Sequence, residues 1–277
     1  QFSLEVHEMT VVPTNAIRDL ASFTSIIQSE INSNQSTWYR GCGSYSHKLQ
    51  PTLYRHPSIN TIEGLMEKES EIIDRFKERC IPHLDRQLVG DWEYLFLMQH
   101  HGVPTRLLDW SENPFFALYF AIESAPYKLT GGSPKYSESA AFWVLDPTQW
   151  NRSALQYVSF DQSILSANDD RVRGYCPRPD LSLMGNGPLA IYGAHNSPRI
   201  VAQRGVFTIF GKSLKPMKGI PGNGPFPSDV VKKFEIPKEA IPDLRRELDA
   251  IGITAATVFP DLDGLAKELK RNFGYEV

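Results

Sequence analysis

Between Gln99 and Pro114 the chain sets two adjacent histidines, Arg106, Asp109, Ser111 and Asn113 between strongly apolar segments. Joining a helix to a strand does not require that density of hydrogen-bonding groups. Polar side chains that converge in a short turn between rigid elements are how a scaffold presents a site. A buried polar corner, with Arg106 and Asp109 paired to each other and to backbone, is the alternative reading. His100 and His101 point about a quarter turn or more apart on a helix, so they do not chelate one metal ion. One of the two, taken as His101, faces the cleft as donor or general base. Trp38-Tyr39-Arg40-Gly41 puts a guanidinium among large hydrophobes, where it must pair, for instance with Asp109, or bind an anion. Gly41 allows backbone or ligand to come close. Arg199 and Gln203 are four apart; on a strand they share a face and look into one cleft, or form a sheet edge in solvent. Asp261 and Asp263 fit helix capping.

The elements that must carry these residues follow from periodicity. Phe2–Val12 alternates like a strand, and Asn15–Ile31 and Thr61–Cys80 have helical apolar spacing, with Glu63, Glu67 and Glu69 decorating the second. Asp91 caps a helix that Gly102 and Pro104 end. Thr105–Asp109 reads as a strand, and Asn113-Pro114 opens a helix, apolar nearly all round, that must be buried. Asp109 and Ser111 then lie at its N-terminus, where N–H groups favour anions. Lys128–Glu138 and Gly219–Ser228 read as loops, and Ala141–Asp146, Val230–Ile236 and Thr254–Phe259 as strands. Residues 199–211 read as two strand pieces broken at Gly205. Helices cover Pro237–Ala250 and the stretch after Asp261. Elements interleave irregularly without a linker, which predicts one α+β domain over 1–277, with mixed, mainly antiparallel sheets and packed helices.

Composition limits the function classes. The 277 residues are 41% hydrophobic and 22% charged with a net charge of -3, so the chain is globular and lacks a global attraction to nucleic acid. Cys42, Cys80 and Cys176 lie far apart, which fits neither a disulfide framework nor a zinc site. The longest apolar run, Phe115–Ile122, is too short for a membrane span, and the expected setting is cytoplasmic. Nucleophile-elbow, HExxH, P-loop and dinucleotide-fingerprint motifs are absent from the sequence.

Three stretches together resemble the FRG domain, a family named for a Phe/Tyr-Arg-Gly motif: Trp38-Tyr39-Arg40-Gly41, Leu49-Gln50-Pro51-Thr52-Leu53-Tyr54-Arg55 and Gln99–Trp110. Asn113-Pro114 through Ala121, Gln203–Thr208 and Phe259–Ala266 are similar too, so the resemblance runs from about Phe23 to Leu269. It implies a bacterial or phage protein, with a role in phage–host conflict. A further similarity is to ADP-ribosyltransferase folds, with Arg40 as the first-strand basic residue and Thr105–Ser111 leading into the second motif. Gln203 stands in for the third. The resemblance implies NAD as co-substrate, Arg40 on its pyrophosphate, Ser111 orienting the nicotinamide ribose and Gln203 on the ribose hydroxyls. No glutamate stands at the family's spacing, and a glutamine orients groups without acting as a base.

The expected site is Arg40, His101 and Gln203 as catalytic residues, with Tyr39, Gly41, Thr105, Arg106, Asp109 and Ser111 binding a phosphorylated nucleotide-type ligand. ADP-ribosyl transfer to a protein or nucleic-acid acceptor, or NAD glycohydrolysis, is the first reading. A non-catalytic nucleotide or nucleic-acid module using Arg40, Arg55 and Arg106 is the second. A protein-interaction partner with a structural polar cluster is the third.

Overall fold

β-Branched and aromatic runs supply the strands β1 (Trp38–Cys42), β2 (Leu107–Ser111), β3 (Tyr127–Thr130), β4 (Ser133–Tyr136), β5 (Ala140–Leu145), β6 (Leu165–Ser166), β7 (Leu189–Tyr192), β8 (Gly205–Ile209) and β9 (Val231–Ile236). The computed structural model describes residues 16–33, 36–84, 86–155, 164–193, 198–217 and 229–275. Seven strands form one sheet in the order β6-β7-β8-β2-β1-β5-β9. Its pairings are antiparallel except β6 with β7. Helices α1 (Leu20–Ser33), α2 (Ile62–Cys80), α3 (Asp91–His100), α4 (Pro114–Glu123), α5 (Pro147–Ala154), α6 (Pro198–Ala202), α7 (Ile241–Ala250), α8 (Ala255–Val258) and α9 (Leu262–Asn272) surround it. The architecture is α+β, mainly antiparallel, as the interleaving of elements requires.

The sheet separates apolar clusters. Tyr39, Phe142 and Phe234 pack with α1, α4 and α7, whereas Trp38, Trp110 and Trp143 pack with Leu49, Leu53 and Leu65. A third cluster joins Leu95 and Phe96 of α3 to Leu107, Ile191 and Phe207. Helix α4 lies directly on β1 because two glycines face it. A Cβ on Gly41 would stand 1.9 Å from the Ala117 carbonyl oxygen, and one on Gly43 1.9 Å from that of Ser124.

Arg106 enters β2 from the centre of the molecule. It is wholly buried, and its Nε donates to both Glu69 carboxylate oxygens at 3.0 Å. Its Nη2 donates to the carbonyls of Tyr175 (2.8 Å) and Cys176 (2.7 Å). Glu69 is itself fully buried on α2. The alternative reading, in which Arg106 pairs with Asp109, therefore does not hold.

Other expectations change as well. Residues 199–203 are helix and turn instead of strand, with Arg204 at φ 46 leading into β8. The expected strand Thr254–Phe259 holds the helix α8, capped reciprocally by Thr254 and Thr257. The loop expected over Lys128–Glu138 is the hairpin β3–β4, turning on Gly131 and Gly132 at positive φ. Gly90 takes the N-cap of α3, which leaves Asp91 to bond Lys77 and Arg178. The expected strand Phe2–Val12 and loop Gly219–Ser228 lie outside the described residues.

Breaking the buried pair strands a charge. Arg106→Ala should cost about 3–5 kcal/mol in urea denaturation, and Arg106→Met with Glu69→Leu should cost much less than either half alone.

Candidate functional site

A cavity of about 300 Å³ opens where β1 and β2 part. These strands share one register pair, Tyr39 with Ser111, whereas β1 runs in full register with β5. Past that pair Arg40 replaces the ladder, its Nη1 donating to the Asp109 carbonyl oxygen at 2.5 Å and lying 3.7 Å from Asp109 Oδ2. The wall on one side is Tyr39, Arg40 and Gly41 with Ala117 and Phe120 of α4 and its C-cap Ser124. On the other side are Gln99, His100 and Asp109, and α6 and β8 close it with Arg199, Gln203 and Phe207.

Arg199 is the group that sequence reasoning placed near the cleft without giving it a role. It is half-buried, its guanidinium carbon sits 4.5 Å from the Phe259 ring centre, and among the described residues no carboxylate lies within ion-pair distance. Burial pulls its pKa below the usual guanidinium value, against the attraction of Asp109 and Asp261. The group stays cationic, and a half-buried cation without an ion pair favours an anionic partner.

His100, not His101, lines the cavity. It is the last residue of α3, whereas His101 is the exposed C-cap, followed by Gly102 at φ 71. Burial first, then Arg199 and His101, pull the His100 pKa down to about 4, with Asp261 opposing. Among the described residues the cavity thus carries two guanidiniums, one carboxylate and an imidazole that is neutral at pH 7.

The remaining expected residues divide cleanly. Tyr39, Arg40, Gly41, Asp109, Ser111 and Gln203 meet at the cavity. Gly41 acts by letting α4 approach. The Ser111 hydroxyl donates to the Gln203 carbonyl at 2.6 Å and accepts from the Asn113 N–H at 2.9 Å, so it braces β2 against the turn before β8. The Gln203 amide donates to the Val258 carbonyl at 2.9 Å, leaving its oxygen as the acceptor. Thr105 is buried behind Gln99, and Arg106 does not reach the cavity. Helix α4 presents its flank, not its N-terminus, whose Phe115 N–H is already bonded by Asn113 Oδ1 at 3.0 Å. Arg55, on a separate turn, bonds Thr52 and is exposed.

Two participants escaped sequence reasoning. Glu69 was legible as the polar residue on the α2 stripe, four after Leu65 and four before Ile73. Phe259 carried no local signal, because its partner Arg199 is distant in sequence.

Residues 35–128 match the family model of the FRG domain. That segment supplies β1, α2, α3, β2 and α4, whereas Arg199, Gln203 and Phe207 lie outside it. No curated protein and no solved structure matches the chain.

A histidine held neutral in the fold binds its proton more readily when unfolded. His100 should therefore lower stability as pH falls from about 6.5 toward about 4. Unfolding measured across that window should show a shallower pH dependence in His100→Gln.

Proposed function

We propose that the FRG domain of residues 35–128, completed by α6 and β8, binds a phosphorylated nucleotide-type ligand, with NAD as the co-substrate of ADP-ribosyl transfer or glycohydrolysis. The observation that carries this reading is the pairing of Arg40 and Arg199 against one carboxylate in an aromatic-walled cavity. Guanidinium forks match phosphate oxygens. Phe120, partly exposed, offers an apolar face to a base or pyridine ring, with Tyr39 and Phe207 buried behind the lining, and Gln203 Oε1 is an acceptor for a sugar hydroxyl. A volume of about 300 Å³ lies at the lower end of ligand pockets, so one nucleotide half enters and the remainder runs along the rim. A role in bacterial or phage conflict belongs to the same proposal.

A second reading, a non-catalytic nucleotide-recognition module, is favoured by the tethered Gln203 amide and by the lack of a glutamate among the described lining residues. The nucleic-acid form of that reading loses its common surface, since Arg106 is buried and Arg55 is not part of the cavity.

Purified protein incubated with NAD, with and without DNA, RNA and protein extract, should release nicotinamide. Arg40→Ala should abolish release while remaining folded. Arg199→Ala should weaken NAD binding about tenfold or more, because hydrogen bonds to charged groups contribute about 1.5–3 kcal/mol. Release undiminished in folded Arg40→Ala contradicts the proposal, and NAD binding without release under any condition selects the recognition module.

A further inference from the structure

Among the described residues lining the cavity the one carboxylate is Asp109, and it is held from the core outward. The Leu107 N–H donates to Thr105 Oγ1 at 3.1 Å, which directs the Thr105 hydroxyl hydrogen onward to Gln99 Oε1. That bond fixes which way the Gln99 amide faces, and its Nε2 then donates to Asp109 Oδ2 at 2.7 Å. Thr105 is fully buried, so the relay starts from an immobile point. Arg40 approaches the same Oδ2, whereas Oδ1 has no protein hydrogen bond among the described residues and the side chain is 54% exposed. A carboxylate needed only to neutralise Arg40 would not require a second anchor from the core. Fixing one oxygen and leaving the other unbonded on an exposed, cavity-lining side chain is a geometry suited to a proton acceptor.

Resting on the reading of the cavity as an NAD site, we infer that Asp109 is the general base for cleavage of the nicotinamide–ribose bond, with Gln99 and Thr105 as positioning residues. Asp109 Oδ1 takes a proton from water as the water oxygen bonds to ribose C1′. The bond from C1′ to the nicotinamide nitrogen breaks, and its electron pair leaves with that nitrogen, cancelling the pyridinium charge. Asp109 afterwards returns the proton to solvent, so NAD and water give nicotinamide, ADP-ribose and one proton. The carboxylate also faces the positive charge that develops on the ribose as the bond breaks. This supplies the base that Gln203 cannot be.

The test combines nicotinamide release with NAD binding by calorimetry and with thermal melting. Asp109→Asn should lose about 10²–10⁴-fold in kcat, the range of general-base contributions, with Kd for NAD within about threefold. In Asp109→Ala, added azide, a nucleophile that needs no base, should restore nicotinamide release and yield an azido-ribose product identifiable by mass. Thr105→Val should lower kcat at unchanged KM, and Thr105→Ser should restore it. Should Asp109→Asn fail to fold, Gln99→Leu carries the same test, keeping the Arg40 partner while removing the anchor. Folded Asp109→Asn that turns over near the wild-type rate overturns the inference and leaves the NAD reading standing. Wild-type protein that binds NAD without releasing nicotinamide overturns the inference and keeps binding alone, and protein that neither binds nor cleaves NAD removes both.

Discussion

The buried pair of Arg106 and Glu69 ties α2 to the start of β2 and to the segment at Tyr175 and Cys176 in the interior of the protein. Glu69 belongs to α2 and Arg106 leads into β2, while the carbonyls that complete the guanidinium's bonding come from Tyr175 and Cys176. The Phe210 N–H also donates to the Arg106 carbonyl at 3.0 Å, just past the end of β8. An ion pair taken out of water loses its hydration, and its attraction outweighs that loss only with good geometry and satisfied donors. Here Nε and Nη2 are satisfied within 3.0 Å, so the arrangement also fixes direction. The ladder with β8 holds β2 in register, and the bonded guanidinium anchors the residue where the strand begins.

Everything in the cavity inherits that position. Asp109 and Ser111 follow Arg106 on β2, and Ser111 fastens the turn that carries Gln203. On the neighbouring strand, close contact of α4 with β1 sets the other wall. The cavity is the gap between two firmly placed pieces of backbone, where β1 and β2 part after the single pair of Tyr39 with Ser111.

Much of this was legible in the sequence. Asn113-Pro114 marked the start of α4, Gly102 marked the end of α3, and the apolar stripe of α2 marked its buried face. The residues Tyr39, Arg40, Gly41, Asp109, Ser111 and Gln203 line one cavity. Failures fell where local pattern is ambiguous. Residues 199–203 and 254–259 are short apolar runs that suit strand or helix equally, and tertiary packing decided for helix. Arg106 stands just before β2 and Asp109 lies three residues on, at opposite parity, and one turns inward to Glu69 while the other stays at the cavity. Helix phase likewise separates His100 from His101, and a break point uncertain by one residue exchanges them. Glu69 looked like surface charge because glutamate is nearly always solvated, although its spacing placed it on the apolar stripe.

Arg40 stands in for a rung of the sheet, and this has an entropic consequence. A long cation on an open surface samples many rotamers, and a ligand that captures it must freeze them at a cost of about 0.5–1.5 kcal/mol for the side chain. In this molecule the Asp109 carbonyl has already restricted Arg40 during folding, while its other N–H groups keep their donor capacity. Lysine, a point charge on a flexible stem, would offer no planar fork to serve backbone and ligand together. The strand opening that creates the cavity thus also leaves a cation whose disorder was removed before any ligand arrives.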